Sequence, residues 1–339
     1  MGRNVQLNGG FNLGEAMVYG DALRSPKFAS VGTRHRREAR FLPGIEWSYN
    51  NAAADATAVN AAAEFDANPF LSVDLQGIHI TEDGSKMYLS DESGVSSDDD
   101  IYYFDLSTPW DITTATRDVS KSWVSVSLGD LVSSLFVSPG GEYLFYQNNG
   151  SNGSIRRRTL TTPYDASTAS SSTNFSLGSS TGNSCFAWSP DGLYCLVFQQ
   201  SAGAYGSGND TFIMFGPLAT PWLLQGTDPR AEILSANVAG TPGTGGVNSQ
   251  AGLHLSSDGR SVLVLTGSDS IQEATMSTPF DISTMAWKAP KIWYARGAAG
   301  TNFSPQDMHV KADGTQLWIA TNAESVTMYH TGGSQNQLV

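Results

Sequence analysis

Apolar residues in this chain follow a two-residue rhythm that breaks at a short polar turn, resumes as an apolar run, and repeats. The unit reads GIHITEDGSKMYLS from Gly77, SLFVSPGGEYLFYQ from Ser134, CFAWSPDGLYCLVF from Cys185, GLHLSSDGRSVLVL from Gly252 and DMHVKADGTQLWIA from Asp307. Before the turn, Ile78/Ile80, Leu135/Val137, Phe186/Trp188, Leu253/Leu255 and Met308/Val310 alternate with period two, as strands do. After it come continuous apolar runs such as Met87-Tyr88-Leu89 and Leu317-Trp318-Ile319, which suit strands buried on both faces. Gly84, Gly141, Gly192, Gly259 and Gly314 close the turns, where a left-handed backbone is needed. An Asp precedes four of these glycines (Asp83, Asp191, Asp258, Asp313), able to bond the turn backbone.

A third strand follows each hairpin and leads into a proline turn: IYYFDLSTPWDI, SIRRRTLTTPYDA, FIMFGPLATPWLL and SIQEATMSTPFDI. Pro109, Pro163, Pro221 and Pro279 are excluded from central strands and mark these turns as exposed. The aromatic after each proline (Trp110, Tyr164, Trp222, Phe280) is expected to cover the blade edge. A short fourth strand is expected after the turn, as at Trp123–Leu128, Thr173–Leu177 and Lys291–Arg296, and Gln225–Asn248 is expected to be a long loop.

Five four-stranded units predict an all-β fold, a five-bladed β-propeller. The fifth unit stops after its third strand, SVTMYHTGG, and an orphan strand, Pro69–Leu75, lies before the first unit. The N-terminal strand is therefore expected to close the last blade, which hides two sheet edges. The division expected is residues 1–65 as an extended N-terminal arm and Ala-rich spacer, with a short helix over Asn50–Glu64, and residues 66–339 as the propeller.

Charge divides the chain the same way. The net charge is -13, yet residues 1–45 hold seven Lys or Arg against three acids. An acidic body makes nucleic acid an unsuitable partner. The basic arm, with Arg34, Arg36, Arg37 and Arg40 at its centre, suits docking to an acidic partner. No apolar run has the length of a membrane span and the first residues lack a signal-peptide core, so neither membrane insertion nor secretion is expected. Cys185 and Cys195 flank one turn two or three pairs apart, too far for a disulfide, and are expected as free buried thiols.

No nucleophile-elbow, zinc-protease, paired-cysteine or phosphate-loop motif is present. The turn aspartates are explained by turn geometry, and no catalytic residue or resident cofactor is assigned. Two constellations remain. His79, His254 and His309 occupy one equivalent slot in blades 1, 4 and 5, filled by Phe136 and Ala187 in blades 2 and 3. They make either a three-imidazole cluster near the axis, able to hold a metal or anion, or three residues that pack between blades and bond neighbouring carbonyls. The loop of Asp91, Glu92, Asp98, Asp99 and Asp100 is either a calcium site built from oxygen ligands or a solvated acidic loop.

The element Asp105–Ala115 (DLSTPWDITTA), repeated as Met276–Thr284 (MSTPFDIST), resembles β-propeller repeats in structural proteins of tailed bacteriophages. The resemblance covers residues 69–330; blade 3 departs from it at Leu223 and blade 5 lacks it. It implies a non-enzymatic virion component assembled in the host cytoplasm and present in multiple copies. Such a component would be tail-associated, docked on other virion proteins through residues 1–45, and turned toward a host cell-surface glycan. A capsid-decorating protein, and a bacterial ligand-binding or hydrolytic propeller, are the alternatives.

Overall fold

A computed structural model describes residues 63–71, 74–92, 100–123, 132–148, 154–177, 184–199, 211–234, 238, 250–266, 270–288, 292–293 and 304–330. These form five antiparallel sheets, each a meander of consecutive strands except the last. After β1 (Ala63–Asp66), blade 1 comprises β2 (Asp74–Ile80), β3 (Lys86–Glu92), β4 (Ile101–Leu106) and β5 (Ala115–Arg117). Blade 2 comprises β6 (Val132–Val137), β7 (Tyr143–Asn148), β8 (Ser154–Thr159) and β9 (Thr173–Ser176). Blade 3 comprises β10 (Ser184–Trp188), β11 (Cys195–Gln199), β12 (Thr211–Phe215) and β13 (Arg230–Leu234). Blade 4 comprises β14 (Gln250–Leu255), β15 (Ser261–Thr266), β16 (Ser270–Met276) and β17 (Met285–Trp287), with β18 (Ile292–Trp293) also on β16. Blade 5 orders β19 (Pro305–Val310), β20 (Gln316–Thr321) and β21 (Ser325–His330), with β1 outermost. The first strands of the blades pack against one another around the axis. The fold is a five-bladed β-propeller closed by an N-terminal strand.

The closing strand is not the one expected. Ala63–Asp66 pairs with β21, Phe65 lying opposite Val326, whereas Asp74 and Leu75 belong to the innermost strand of blade 1. Phe65 stacks on Phe70 at 5.8 Å, and both meet Phe104 edge-on. Residues 67–71 thus fold back to seal the joint instead of extending the sheet. The ring begins at Ala63, inside the segment expected to be spacer. Of the helix expected over Asn50–Glu64, residues 50–62 lie outside the described residues and the last two are strand.

The core is not one mass but five, one in each seam between neighbouring blades. This explains the continuous apolar runs. In β3, Met87 and Leu89 face the seam with blade 5 while Tyr88 between them faces the seam with blade 2. Each second strand feeds two cores, so it has no face left for polar residues.

Outer strands carry less of this signal, and the expected positions shift accordingly. Blade 1 takes its fourth strand at Ala115–Arg117, immediately after the proline turn, and Trp123 makes only an isolated bridge to Ile101. In blade 4, β17 precedes the expected segment and β18 lies within it. The segment expected as a long loop after Gln225 contains β13, paired along its length with β12. The two cysteines are free, buried and three register positions apart, since Trp188 faces Cys195 and Cys185 faces Phe198.

The proline turn has a clear local cause. Asp111, Asp165 and Asp281 each cap a one-turn 3-10 helix, accepting from the backbone N–H two residues on at 3.0 to 3.1 Å. Blade 3 has Leu223 in that place, and the chain there runs through plain turns to Arg230.

The aromatic after each proline does more than cover an edge. Its backbone is left-handed (φ 69° at Trp110, 65° at Tyr164 and Trp222, 59° at Phe280), which is costly outside glycine. The conformation is held by a hydrogen bond from its own N–H to the carbonyl of the turn glycine, as Trp110 N to Gly84 O at 2.9 Å. The ring lies flat on that glycine: a Cβ on Gly84, itself at φ 72°, would sit 2.4 Å from the Trp110 indole. The same ring reaches the preceding blade. Trp110 stacks on Trp318 of blade 5, Trp222 on Phe136 of blade 2 and Phe280 on Tyr194 of blade 3, while Tyr164 accepts the Tyr88 hydroxyl of blade 1 through its carbonyl. Each glycine–aromatic pair therefore stitches its blade to the one before. Blade 5 lacks the element, and its seam with blade 4 is filled by Leu263, Ile271, Met308 and Tyr329.

Candidate functional site

The first strands converge on the axis with their turns at one end, and between them lies a well of about 140 Å³. Its rim is one equivalent turn position from every blade: Glu82, Pro139, Pro190, Ser257 and Ala312. Below the rim, His79, His254 and His309 face Phe136 and Ala187, the same slot across five blades. The sequence equivalence thus becomes spatial convergence. His79 and His309 are edge to face at 5.1 Å, and His79 meets Phe136 at the same separation. Trp110 lies over His309 and Trp188 completes the opposite wall.

All three imidazoles are uncharged at neutral pH. Burial holds His79 down at about 3 and His254 at about 4; His309 lies well below the usual range through burial and the two neighbouring imidazoles. His79 is 6% exposed, and no described residue offers a hydrogen bond to its ring or to that of His309. Both rings line the well. Among the described residues, no group of three or more His, Cys, Asp or Glu side chains is placed to hold a metal ion.

The floor was missed in the sequence. Two positions before the histidine slot, the five blades carry Gly77, Ser134, Cys185, Gly252 and Asp307, four small residues and one carboxylate. The Asp307 carboxylate crosses the axis and accepts from the backbone N–H of Ile78 in blade 1 (3.1 Å), Leu135 in blade 2 (3.4 Å) and its own Met308 (2.9 Å). The small neighbours make room for it; a Cβ on Gly252 would stand 3.0 Å from its oxygen. Burial pushes its carboxyl up to about 8, against the pull of the three N–H donors. It also adds to the burial that raises the Cys185 thiol. Asp307 staples three blades and closes the well at the bottom.

The acidic loop is brought together only in part. Asp98 and Asp99 lie outside the described residues. Asp91 and Asp100 are buried and bound to each other's neighbourhood: Asp100 N donates to Asp91 at 2.9 Å, and the Tyr102 hydroxyl reaches both carboxylates at 2.8 and 3.1 Å. These two fasten the ends of the loop. Arg34, Arg36, Arg37 and Arg40, with the rest of residues 1–62, also lie outside the described residues. The repeated turn aspartates serve their own turns. Burial works to raise the Asp83 carboxyl, and Thr81, Ser85 and Lys86 pull it down to about 2.

No known protein family and no curated protein matches the sequence. Among solved structures, the chain is similar to a functionally unknown protein from Desulfotomaculum acetoxidans. That likeness has 13% identity and a TM-score of 0.42, over 74% of this chain and 63% of that one, so the chain spans less than two thirds of that protein's length. It is also similar to a chain in the mitotic checkpoint complex, with 11% identity and a TM-score of 0.43 over 84% and 98% of the two chains. Both likenesses are remote. The propeller assignment stands on the strand pairing.

Proposed function

We propose that this protein is a non-enzymatic recognition platform carried as a structural component of a bacteriophage virion, docked through residues 1–45 and presenting the ring outward. One observation carries the platform reading. Connections from first to second strand are five or six residues in every blade, whereas those from second to third strand at the opposite end run from three residues to eleven. A scaffold that fixes one end of each blade and varies the other is the usual support for recognition loops. The virion setting is supported by the resemblance of the Ser-Thr-Pro-aromatic-Asp-Ile element, in which the aspartate cap and the glycine-stacked aromatic each have a structural role. Charge contrast between arm and body supports docking by the arm.

The test is particle composition and structure. Purified virions should contain the chain in a fixed copy number, with residues 1–45 against other virion proteins. A chain that is absent from purified particles, or an arm that contacts only its own ring, would overturn the reading.

A further inference from the structure

We propose that the axial well at the turn end of the ring binds one uncharged, hydroxyl-bearing ring, a single neutral sugar or the terminal residue of a neutral glycan. This inference stands on the well itself and does not rest on the virion reading, which concerns the opposite end.

Size, closure and chemistry point the same way. At roughly 10–15 Å³ per water, the well's 140 Å³ accommodates about ten water-sized atoms, the scale of one pyranose. The Asp307 staple blocks the axis below, so the well admits a small molecule or a chain end but not a chain passing through. Its wall is divided. Three imidazoles form one arc on blades 4, 5 and 1, and Phe136, Ala187 and Trp188 form the facing arc on blades 2 and 3. A sugar ring has both characters, hydroxyls at its edge and C–H groups on its faces, which suits aromatic walls.

Charge argues against ionised ligands. The histidines are neutral, and the acids lining the well are Glu82 at the exposed rim and buried Asp307. An anion would find no positive group in the lining, and a cation would have to shed its water among neutral rings. The polar atoms that await a partner are of the neutral kind. His79 and His309 line the well, and neither ring has a hydrogen-bond partner among the described residues. The neutral imidazoles of His79 and His309 each offer one donor and one acceptor, and a hydroxyl answers either. A rigid heteroaromatic base would demand one fixed pattern from both.

The ring slot supplies its own test substitutions. Phe stands in this slot in blade 2, so Ala187→Phe fills the well with a residue the fold already accepts there, and His79→Phe removes a polar edge while keeping an aromatic. The full chain would be titrated with glucose, galactose, mannose and N-acetylglucosamine, followed by ligand-observed NMR and by the emission of Trp110 and Trp188. At least one sugar should bind with a Kd on the order of 1 mM, and either substitution should weaken it about tenfold or more. A free sugar and an oligosaccharide ending in it should bind alike if only the terminal ring enters; preference for the oligosaccharide assigns the glycan end as the source. Absence of binding by all four sugars at roughly ten times that concentration overturns the proposal. So does binding unchanged in a folded Ala187→Phe variant, or preference for glucuronic acid, glucosamine or adenine over the neutral sugars.

Discussion

The two ends of the ring are specified in different ways. At the turn end every blade uses a hairpin connection of five or six residues, four blades share the glycine–aromatic stitch, and each stitch ties its blade to the preceding one. At the other end, connections between second and third strands differ up to nearly fourfold in length and share no motif. A repeat that diverges keeps what holds the seams and releases what does not. The turn end is the structural end of this molecule, and the opposite end is where variation is cheap. The axial well qualifies this division, because it opens at the structural end and is lined by a slot in which the blades do differ.

Closure should give the largest effect. A chain lacking residues 1–67 loses β1, its pairing with β21, and the Phe65–Phe70–Phe104 cluster. Its melting temperature should fall by roughly 10 °C or more, whereas removal of 1–62 should leave it nearly unchanged. Equal melting of the two truncations would break the closure scheme. Asp307→Ala comes next, at about 3 kcal/mol, because it strands the N–H groups of Ile78 and Leu135 on the axis. A neutral result in denaturant titration would show that the staple holds nothing.

Acid provides a graded effect. The folded-state values of His79 and His254 lie at about 3 and 4, below the unfolded value of about 6.5, so between these limits the unfolded chain binds more protons. The histidine contribution to stability should be complete above pH 6.5 and decline as pH falls toward 4. Asp307, raised to about 8, works in the opposite sense as pH rises, one group against three. The His79→Phe, His254→Phe double variant should lose most of the acid slope; an unchanged slope would move its origin elsewhere. The smallest effect belongs to the variable end. Exchange of residues 200–210 for a Ser/Gly segment of equal length should change stability by about 1 kcal/mol or less. A larger loss in thermal melting would mean that this end also holds the ring.

The repeat, the blade number, the hairpins and the fact of closure were legible because buried strands impose a strict pattern on sequence. The closing strand was not. AEFD contributes one large apolar residue, Phe65, while PFLSVDL has more, yet Asp74 and Leu75 serve the inner strand and residues 69–71 cap the joint. Fourth strands such as Ala115–Arg117 are outermost and short, so they need little apolar content to form. The histidine slot was readable by counting from the turn, whereas Asp307 was hidden by having no repeat: it is one carboxylate among small residues, visible only by reading down the column. The left-handed aromatics were unreadable because propensity forbids them; a neighbouring glycine and a seam with the preceding blade make them possible. The arm and the acidic loop tip gave clear sequence signals that fall outside the described residues.

The stitch is the central claim, and a double-mutant cycle on Gly84 and Trp110 tests it most directly. Gly84→Ala alone should cost about 3 kcal/mol, from a left-handed alanine and a methyl driven into the indole. In the Trp110→Ala background the methyl meets no ring, so the same change should cost only about 1 kcal/mol, a coupling of about 2 kcal/mol. Additive costs, agreeing within about 0.5 kcal/mol, would contradict the account, for they would mean that glycine and aromatic serve the turn end separately.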